Sequence, residues 1–165
     1  MKIAYQGIAG SYSESCAKEK YPDCETIPCK TFDECFEKAN NDGLVKAIIP
    51  ESNKTTGNIG VEYLIFKYRL NIFAEHFFPI NHNLLVIPGT KIDDIKDVYS
   101  HTAALSQVNS FIRKHKIKEN VMADTAGSAA YISSLKDKTK AAIASKLSSE
   151  IYGLEILKSD IQDDK

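Results

Sequence analysis

Hydroxyl side chains recur in this chain where an apolar run gives way to a helix-forming segment. Ser11 and Ser13 follow Ile3-Ala4-Tyr5 and the turn Gly7-Ile8-Ala9-Gly10. Ser100 and Thr102 follow Asp97-Val98-Tyr99, Asp124 and Thr125 follow Val121-Met122-Ala123, and Ser145 follows Ala141-Ala142-Ile143-Ala144. The first turn of a helix carries N–H groups without an intrahelical partner, and a carboxylate or phosphate binds at such a place. Taken singly, each of these residues is an N-cap worth about 1 kcal/mol. Taken as a set, they form a trap for a small anion. The Gly7/Gly10 spacing is not the dinucleotide fingerprint, and no lysine follows it as in a P-loop, so a nucleotide is not implied.

The elements that must hold these residues alternate between strand and helix. Residues 2–6 predict a strand and 11–20 a helix, with Tyr12, Cys16 and Ala17 on its apolar side. Glu25-Thr26-Ile27-Pro28 reads as an edge strand, because proline cannot donate to a ladder. Thr31 and Glu34 form a capping box for a helix whose face is Phe32, Cys35, Phe36 and Ala39. A buried-type strand over 45–49, a polar loop over 50–57 and a helix through Val61, Leu64, Ile65 and Tyr68 complete a β-α-β-α-β-α series. That order predicts a parallel sheet, with ligands beyond the carboxyl ends of its strands. Residues 71–78 and 80–87 read as two extended runs split by Pro79, suited to a chain crossing between lobes. The rhythm then restarts, with strands at 97–99, 121–123, 141–144 and 154–157 and helices after each of the first three. The expected fold is therefore α/β and two-lobed, like a type II periplasmic binding protein, with mainly parallel sheets and a cleft between lobes. The first lobe is placed at 1–78, the second at 79–158, and 159–165 begins a return crossover to the first.

Composition narrows the classes of function. The 165 residues are 43% hydrophobic and carry 21 basic against 22 acidic side chains, so a core can form and no basic patch calls for nucleic acid. No run reaches transmembrane length, and no charged leader precedes an apolar stretch, so neither a membrane nor export is expected and the cytoplasm is the default. Cys16, Cys24, Cys29 and Cys35 lack the close spacing of a zinc site, and disulfides are not expected. No metal site is expected from their spacing.

Several segments then combine in one order. They are Ile3-Ala4-Tyr5-Gln6-Gly7 with Gly10-Ser11-Tyr12-Ser13, then Ala47-Ile48-Ile49-Pro50 with Asn53 and Gly57. Tyr99-Ser100-His101 with Ala104-Leu105 and Gln107 follows, then Asp124-Thr125-Ala126-Gly127-Ser128-Ala129-Ala130, and last Ala142-Ile143-Ala144-Ser145 with Tyr152-Gly153-Leu154. Across essentially the whole chain, the sequence resembles the prephenate dehydratase domain. The resemblance implies a two-lobed fold with its site in the cleft, and a lyase that converts prephenate to phenylpyruvate with loss of water and carbon dioxide in phenylalanine biosynthesis. It implies no cofactor. It implies substrate contacts from Ser11, Ser13, Asn53, Ser100, His101 and Thr125, facing a dicarboxylate. Backbone N–H groups and neutral hydroxyls suit charge that moves during the reaction. His101 invites a role as acid, but orientation or capping is preferred, and no catalytic residue is assigned.

Three departures from the family pattern are visible. The Thr-Arg-Phe motif, whose threonine is held to be the proton donor, does not occur in these residues. The expected Ile-Glu-Asn-Ser reads Glu51-Ser52-Asn53-Lys54. No phenylalanine-sensing ACT domain is expected within these residues. A chain lacking the motif is expected to turn over slowly, or to be a non-catalytic module that binds small carboxylates. An effector lobe of a transcription regulator or a transport protein shares the expected fold, with no DNA-reading helix pair to support it. An unpaired edge of the first sheet would favour a homodimer.

Overall fold

The computed structural model describes residues 1–53 and 57–163. The chain divides into two compact units, one of Met1–Ile8 with Tyr12–Phe78, the other of Ala9–Ser11 with Pro79–Lys165.

In the first unit, β1 (Lys2–Gln6) is the central strand. It runs parallel to β2 (Glu25–Cys29) on one side and to β3 (Val45–Ile48) on the other, with Ala4 opposite both Ile27 and Ala47. α1 (Tyr12–Lys20) follows β1, and α2 (Phe32–Asn41) follows β2. The start of α2 shows why a capping sequence works. Thr31 Oγ1 accepts from Glu34 N at 3.1 Å, while the Glu34 carboxylate reaches back to Lys30 N at 2.8 Å, one residue before the expected partner. Cys35 lies against Ala4, Cys29 and Val45, and Phe36 packs with Val61 and Leu64. After β3, the short strands β4 (Ser52–Asn53) and β5 (Gly57–Asn58) pair antiparallel, and α3 (Glu62–Tyr68) comes next. Lys67 and Tyr68 of α3 both donate to the Asp33 carboxylate of α2, at 2.6 and 2.8 Å.

Residues 71–78 are not a strand. Among the described residues this segment joins no backbone ladder, and strand propensity is expressed only where a neighbour supplies the hydrogen bonds. Lys20 Nζ instead donates to the Glu75 carbonyl at 2.7 Å, and Ile72, Phe73 and Phe77 remain exposed.

The second unit is built on a five-stranded sheet. It comprises β6 (Asn83–Val86), β7 (Asp97–Ser100), β8 (Lys118–Val121), β9 (Lys140–Ala144) and β10 (Glu155–Lys158), in the order β10-β6-β9-β7-β8. β7 is parallel to β8 and β9, whereas β6 is antiparallel to β9 and β10. α4 (Thr102–Gln107) and α5 (Asn109–His115) follow β7, α6 (Thr125–Leu135) follows β8, and α7 (Lys146–Tyr152) follows β9. Alternate residues face opposite sides. Leu84, Val86, Val98, Ala141 and Ile143 meet Leu105, Val108 and Ile112 of the α4–α5 side. Leu85, Ala142 and Ala144 meet Ala129 and Ile132 of α6. A sheet covered on both faces needs apolar residues at every position, which is why Ala141 to Ala144 is an unbroken buried run.

Two expectations shift here. The single helix expected after Ser100 breaks at Val108, whose backbone leaves the helical region while its side chain is fully buried in the core. The Asp163 carboxylate accepts from Ser110 N at 3.2 Å and supplies the cap that valine cannot give α5. The strand expected at 121–123 lies at Lys118–Val121, an edge position whose polar side chains hide the strand signal. Residues 161–163 stay with this unit: Ile161 N donates to the His82 carbonyl, and Asp163 N to that of Gln107.

Candidate functional site

In the second unit, the parallel strands β7, β8 and β9 end at one edge of their sheet, and three helix starts leave from there. His101 caps α4, its Nδ1 accepting from Ala103 N at 3.2 Å, and its ring is exposed. Asp124 caps α6, its Oδ1 accepting from Gly127 N at 2.6 Å, with Thr125 half-buried beside it. Ser145 caps α7, its Oγ accepting from Ser148 N at 3.0 Å. The start of α6 is therefore already served by a carboxylate of the chain itself. At α7 the capping group is a neutral hydroxyl.

β6 runs the other way, so its beginning lies at the same edge. Asn83 pairs with Ala144 at the end of β9, and the Asn83 amide donates to the Ala144 carbonyl at 3.3 Å. His82 is buried, with its Nε2 2.7 Å from Gln107 Oε1, and burial holds its imidazole below the ordinary range. Sequence reasoning gave His82 and Gln107 no part in the site. Their wide separation in the chain hides the pairing.

The expected contact residues are placed as follows. Ser100 is fully buried, and its hydroxyl donates to the Ile143 carbonyl at 2.7 Å, so its donor is committed to the sheet. His101 and Thr125 stand at the edge where β7 and β8 end. Ser11 belongs to the second unit and follows Gly10, whose carbonyl accepts from Ser145, the cap of α7, and from Ser148 within it. Ser13 and Asn53 belong to the first unit. There Ser13 is in the first turn of α1, and Asn53 closes β4 shortly after β3, whose partner β1 leads into Gly7 at the same edge. Lys54 lies outside the described residues. In α1, Glu14 is buried and accepts from Thr26 Oγ1 at 2.8 Å. It is a carboxylate that the motif reading passed over. Among the described residues, no group of His, Cys, Asp and Glu is arranged to hold a metal, and no helix is long and apolar enough to cross a membrane.

The family model for prephenate dehydratase matches residues 3–165. The chain belongs to the prephenate dehydratase family. Arogenate dehydratase 2 of Petunia hybrida is 41% identical over 165 residues, covering 99% of this chain and 42% of that protein. The chloroplastic arogenate dehydratase/prephenate dehydratase 1 of Arabidopsis thaliana is likewise 41% identical, with 99% and 42% covered. Among solved structures, GqqA, described as a novel type of quorum quenching acylase, superposes with a TM-score of 0.93 at 32% identity, covering 99% of this chain and 60% of that one. The prephenate dehydratase of Staphylococcus aureus gives 0.81 at 26%, covering 99% and 61%. The α/β architecture with mainly parallel sheets, expected from the strand–helix rhythm, is thus that of the family. The chain spans about two fifths of the length of the curated relatives it matches. Several of those relatives are chloroplastic proteins, which overturns the cytoplasmic expectation. The physical reason is that an address is carried by separate targeting segments, and a domain's core and surface charge do not record it.

Proposed function

We propose that this prephenate dehydratase family domain binds prephenate and promotes its conversion to phenylpyruvate with loss of water and carbon dioxide. The observation that carries the reading is the family match along residues 3–165. The edge of the second sheet supports it, with three helix starts and the neutral hydroxyl of Thr125 near one another. In this reading Thr125 and the Ser11 hydroxyl bind carboxylate oxygens, His101 orients the start of α4, and Ser100 holds β7 against β9 from inside the sheet. Ser13 and Asn53 are proposed as contacts from the family pattern and are tested by the same assay. Arogenate, the substrate in the names of the plant relatives, is an alternative acid for the same donors.

The test is phenylpyruvate formation from prephenate, run beside calorimetric titration with prephenate and arogenate. Saturable binding with turnover supports the lyase. Binding without turnover supports a carboxylate-binding module. Neither binding nor turnover overturns both. The likeness to GqqA gives an acylase reading as a third outcome, recognised by release of a free amine from an acylated one.

We also propose self-association through the first unit. Tyr63, Phe66, Ile72, Phe73 and Phe77 are between 63% and 95% exposed, and exposed large apolar side chains of this kind support an interface. Sedimentation at micromolar concentration is expected to show a dimer that Phe66→Ser/Phe77→Ser reduces to monomer. A wild-type monomer at every concentration overturns it.

A further inference from the structure

The helix α7 carries an unusual load of buried hydroxyls for so short an element. Two of them and a tyrosine converge on a pair of carbonyl groups distant in sequence. Ser145 Oγ donates to the Gly10 carbonyl at 2.5 Å, Ser148 Oγ to the same oxygen at 2.8 Å, and Tyr152 OH to the Ala9 carbonyl at 2.7 Å. Ser148 is fully buried and Ser145 nearly so. A buried hydroxyl in a helix has a cheaper use, which is to bond the carbonyl one turn back. Ser149 does that, donating to Lys146 at 2.7 Å. Ser148 and Tyr152 do not. Their hydrogens are spent on residues 9 and 10.

The approach leaves no slack. A Cβ on Gly10 would lie 2.6 Å from Ser148 Oγ and 3.0 Å from Ser148 Cα, and Gly10 has φ near +89°, in the left-handed region. Because a trans peptide is planar, its carbonyl and the following N–H point in opposite directions. Holding the Ala9 and Gly10 carbonyls on α7 therefore fixes two successive peptide planes. It turns the N–H groups of Gly10 and Ser11 away from the helix.

We propose that Ser148 and Tyr152 are positioning residues, which orient the Gly10 and Ser11 peptide planes and the Ser11 side chain for a small carboxylate ligand. They touch no ligand themselves. The inference rests on the reading of Ser11 as a contact to prephenate. It assigns a role to Ser148, which the family motifs pass over, and to Tyr152, which they include without one.

The test uses the full chain with Ser148→Ala, Tyr152→Phe and the two combined. Ser149→Ala is the control, since it removes a buried hydroxyl of the same helix that does not reach residues 9 and 10. Prephenate affinity is measured by titration calorimetry. The amide signals of Gly10 and Ser11 are followed by nitrogen–proton NMR, with circular dichroism reporting the fold. The expected result is prephenate binding at least tenfold weaker in the combined variant, two- to fivefold weaker in each single one, and unchanged in Ser149→Ala. Equal affinity in the combined variant and wild type overturns the proposal. If wild type does not bind prephenate, the substrate reading has failed, and the amides decide the positioning role separately. Exchange of the Gly10 and Ser11 amides faster by tenfold or more in the combined variant, and unchanged in the control, supports it. No difference between the variants overturns it. If the combined variant unfolds, Tyr152→Phe alone is judged by the same two measurements, since it keeps the ring that packs against the core.

Discussion

Ser100 of β7 donates its hydroxyl hydrogen to the carbonyl of Ile143 in β9, at 2.7 Å and fully shielded from water. The pairing of the two strands ends one residue earlier, at Tyr99 and Ala142. The side chain thus supplies the next rung of the ladder at the point where the backbone of β7 turns toward α4. Ser100→Ala removes the donor but leaves the Ile143 carbonyl buried. An unsatisfied buried acceptor costs about 1–3 kcal/mol. Urea denaturation of the variant is expected to show a loss in that range, and a stability equal to wild type would contradict this role.

At the start of α6 the arrangement of Asp124 and Gly127 makes a separable prediction. Asp124 Oδ1 accepts from Gly127 N at 2.6 Å, and Ser128 Oγ donates back to the Asp124 carbonyl at 2.8 Å. Asp124→Ala loses the cap, at a cost of about 1 kcal/mol. Asp124→Asn keeps an equally good capping oxygen and is expected to stay within about 0.5 kcal/mol of wild type on the same ranking. Removing the charge also favours an incoming anion at this helix start, so Asp124→Asn is expected to bind prephenate at least as tightly as wild type by calorimetry. Weaker binding would show that the carboxylate itself orients the ligand.

These two positions illustrate what a sequence can disclose. Thr31, Asp124 and Ser145 cap helices as their local patterns require, because an N-cap is decided within four residues. The alternation of strand and helix disclosed the parallel sheets for the same reason. Residues 71–78 misled because a run of β-favouring side chains becomes a strand only beside a partner, and partners are set by the whole fold. β8 was misplaced because an edge strand needs few apolar residues. Ser100 was legible as a special residue and not as a buried one. The hydrogen bonds of Ser148 and Tyr152 to residues 10 and 9 were not legible at all, since 138 and 143 positions separate the partners.

Gly10 offers a direct check on that long-range packing. Its φ is near +89°, and a methyl group there would crowd Ser148 Oγ at 2.6 Å and Ser148 Cα at 3.0 Å. Gly10→Ala therefore meets both backbone strain and overpacking, and a loss of about 1–3 kcal/mol is expected. Combining it with Ser148→Ala removes the hydroxyl but leaves both the crowding against the α7 backbone and the strain at residue 10, so recovery is expected to be partial. Denaturant midpoints of the two variants measure this, and full recovery in the double variant would leave the backbone without a role.

The cysteines are expected to separate into two classes on alkylation. Cys29 and Cys35 are buried together, and burial is the leading cause that pushes both thiols up, so little thiolate forms. Cys16 and Cys24 are only half-buried, with burial again raising Cys16. Reaction requires the thiolate and access. Native protein treated with iodoacetamide near pH 8 is expected to label at Cys16 and Cys24 over minutes to hours, while Cys29 and Cys35 react only after denaturation. Peptide mass spectrometry reads the order, and early labelling of Cys35 would mean that α2 opens readily.

His82 gives the chain a dependence on pH that can be signed in advance. The imidazole is buried, with Nε2 2.7 Å from Gln107 Oε1, and desolvation lowers its pKa from an ordinary value of 6.5, outweighing the opposing pull of Gln107. In the unfolded chain the same histidine takes up a proton as pH falls through about 6.5, before the folded one does. The unfolded state then binds more protons, so stability rises with pH in that window. The contribution is fully present above about 6.5 and is lost as pH falls through the lowered folded value. Asp33, Glu34 and Asp137, whose carboxyls partners hold low, act only further toward acid, because their ordinary values are 3.8 and 4.5. Between pH 7.5 and 5.5 the wild-type Tm is therefore expected to fall by a few degrees. His82→Gln, which keeps a donor toward Gln107 and cannot titrate, is expected to fall less over the same range. A variant with the same slope as wild type would show that the proton responsible binds elsewhere.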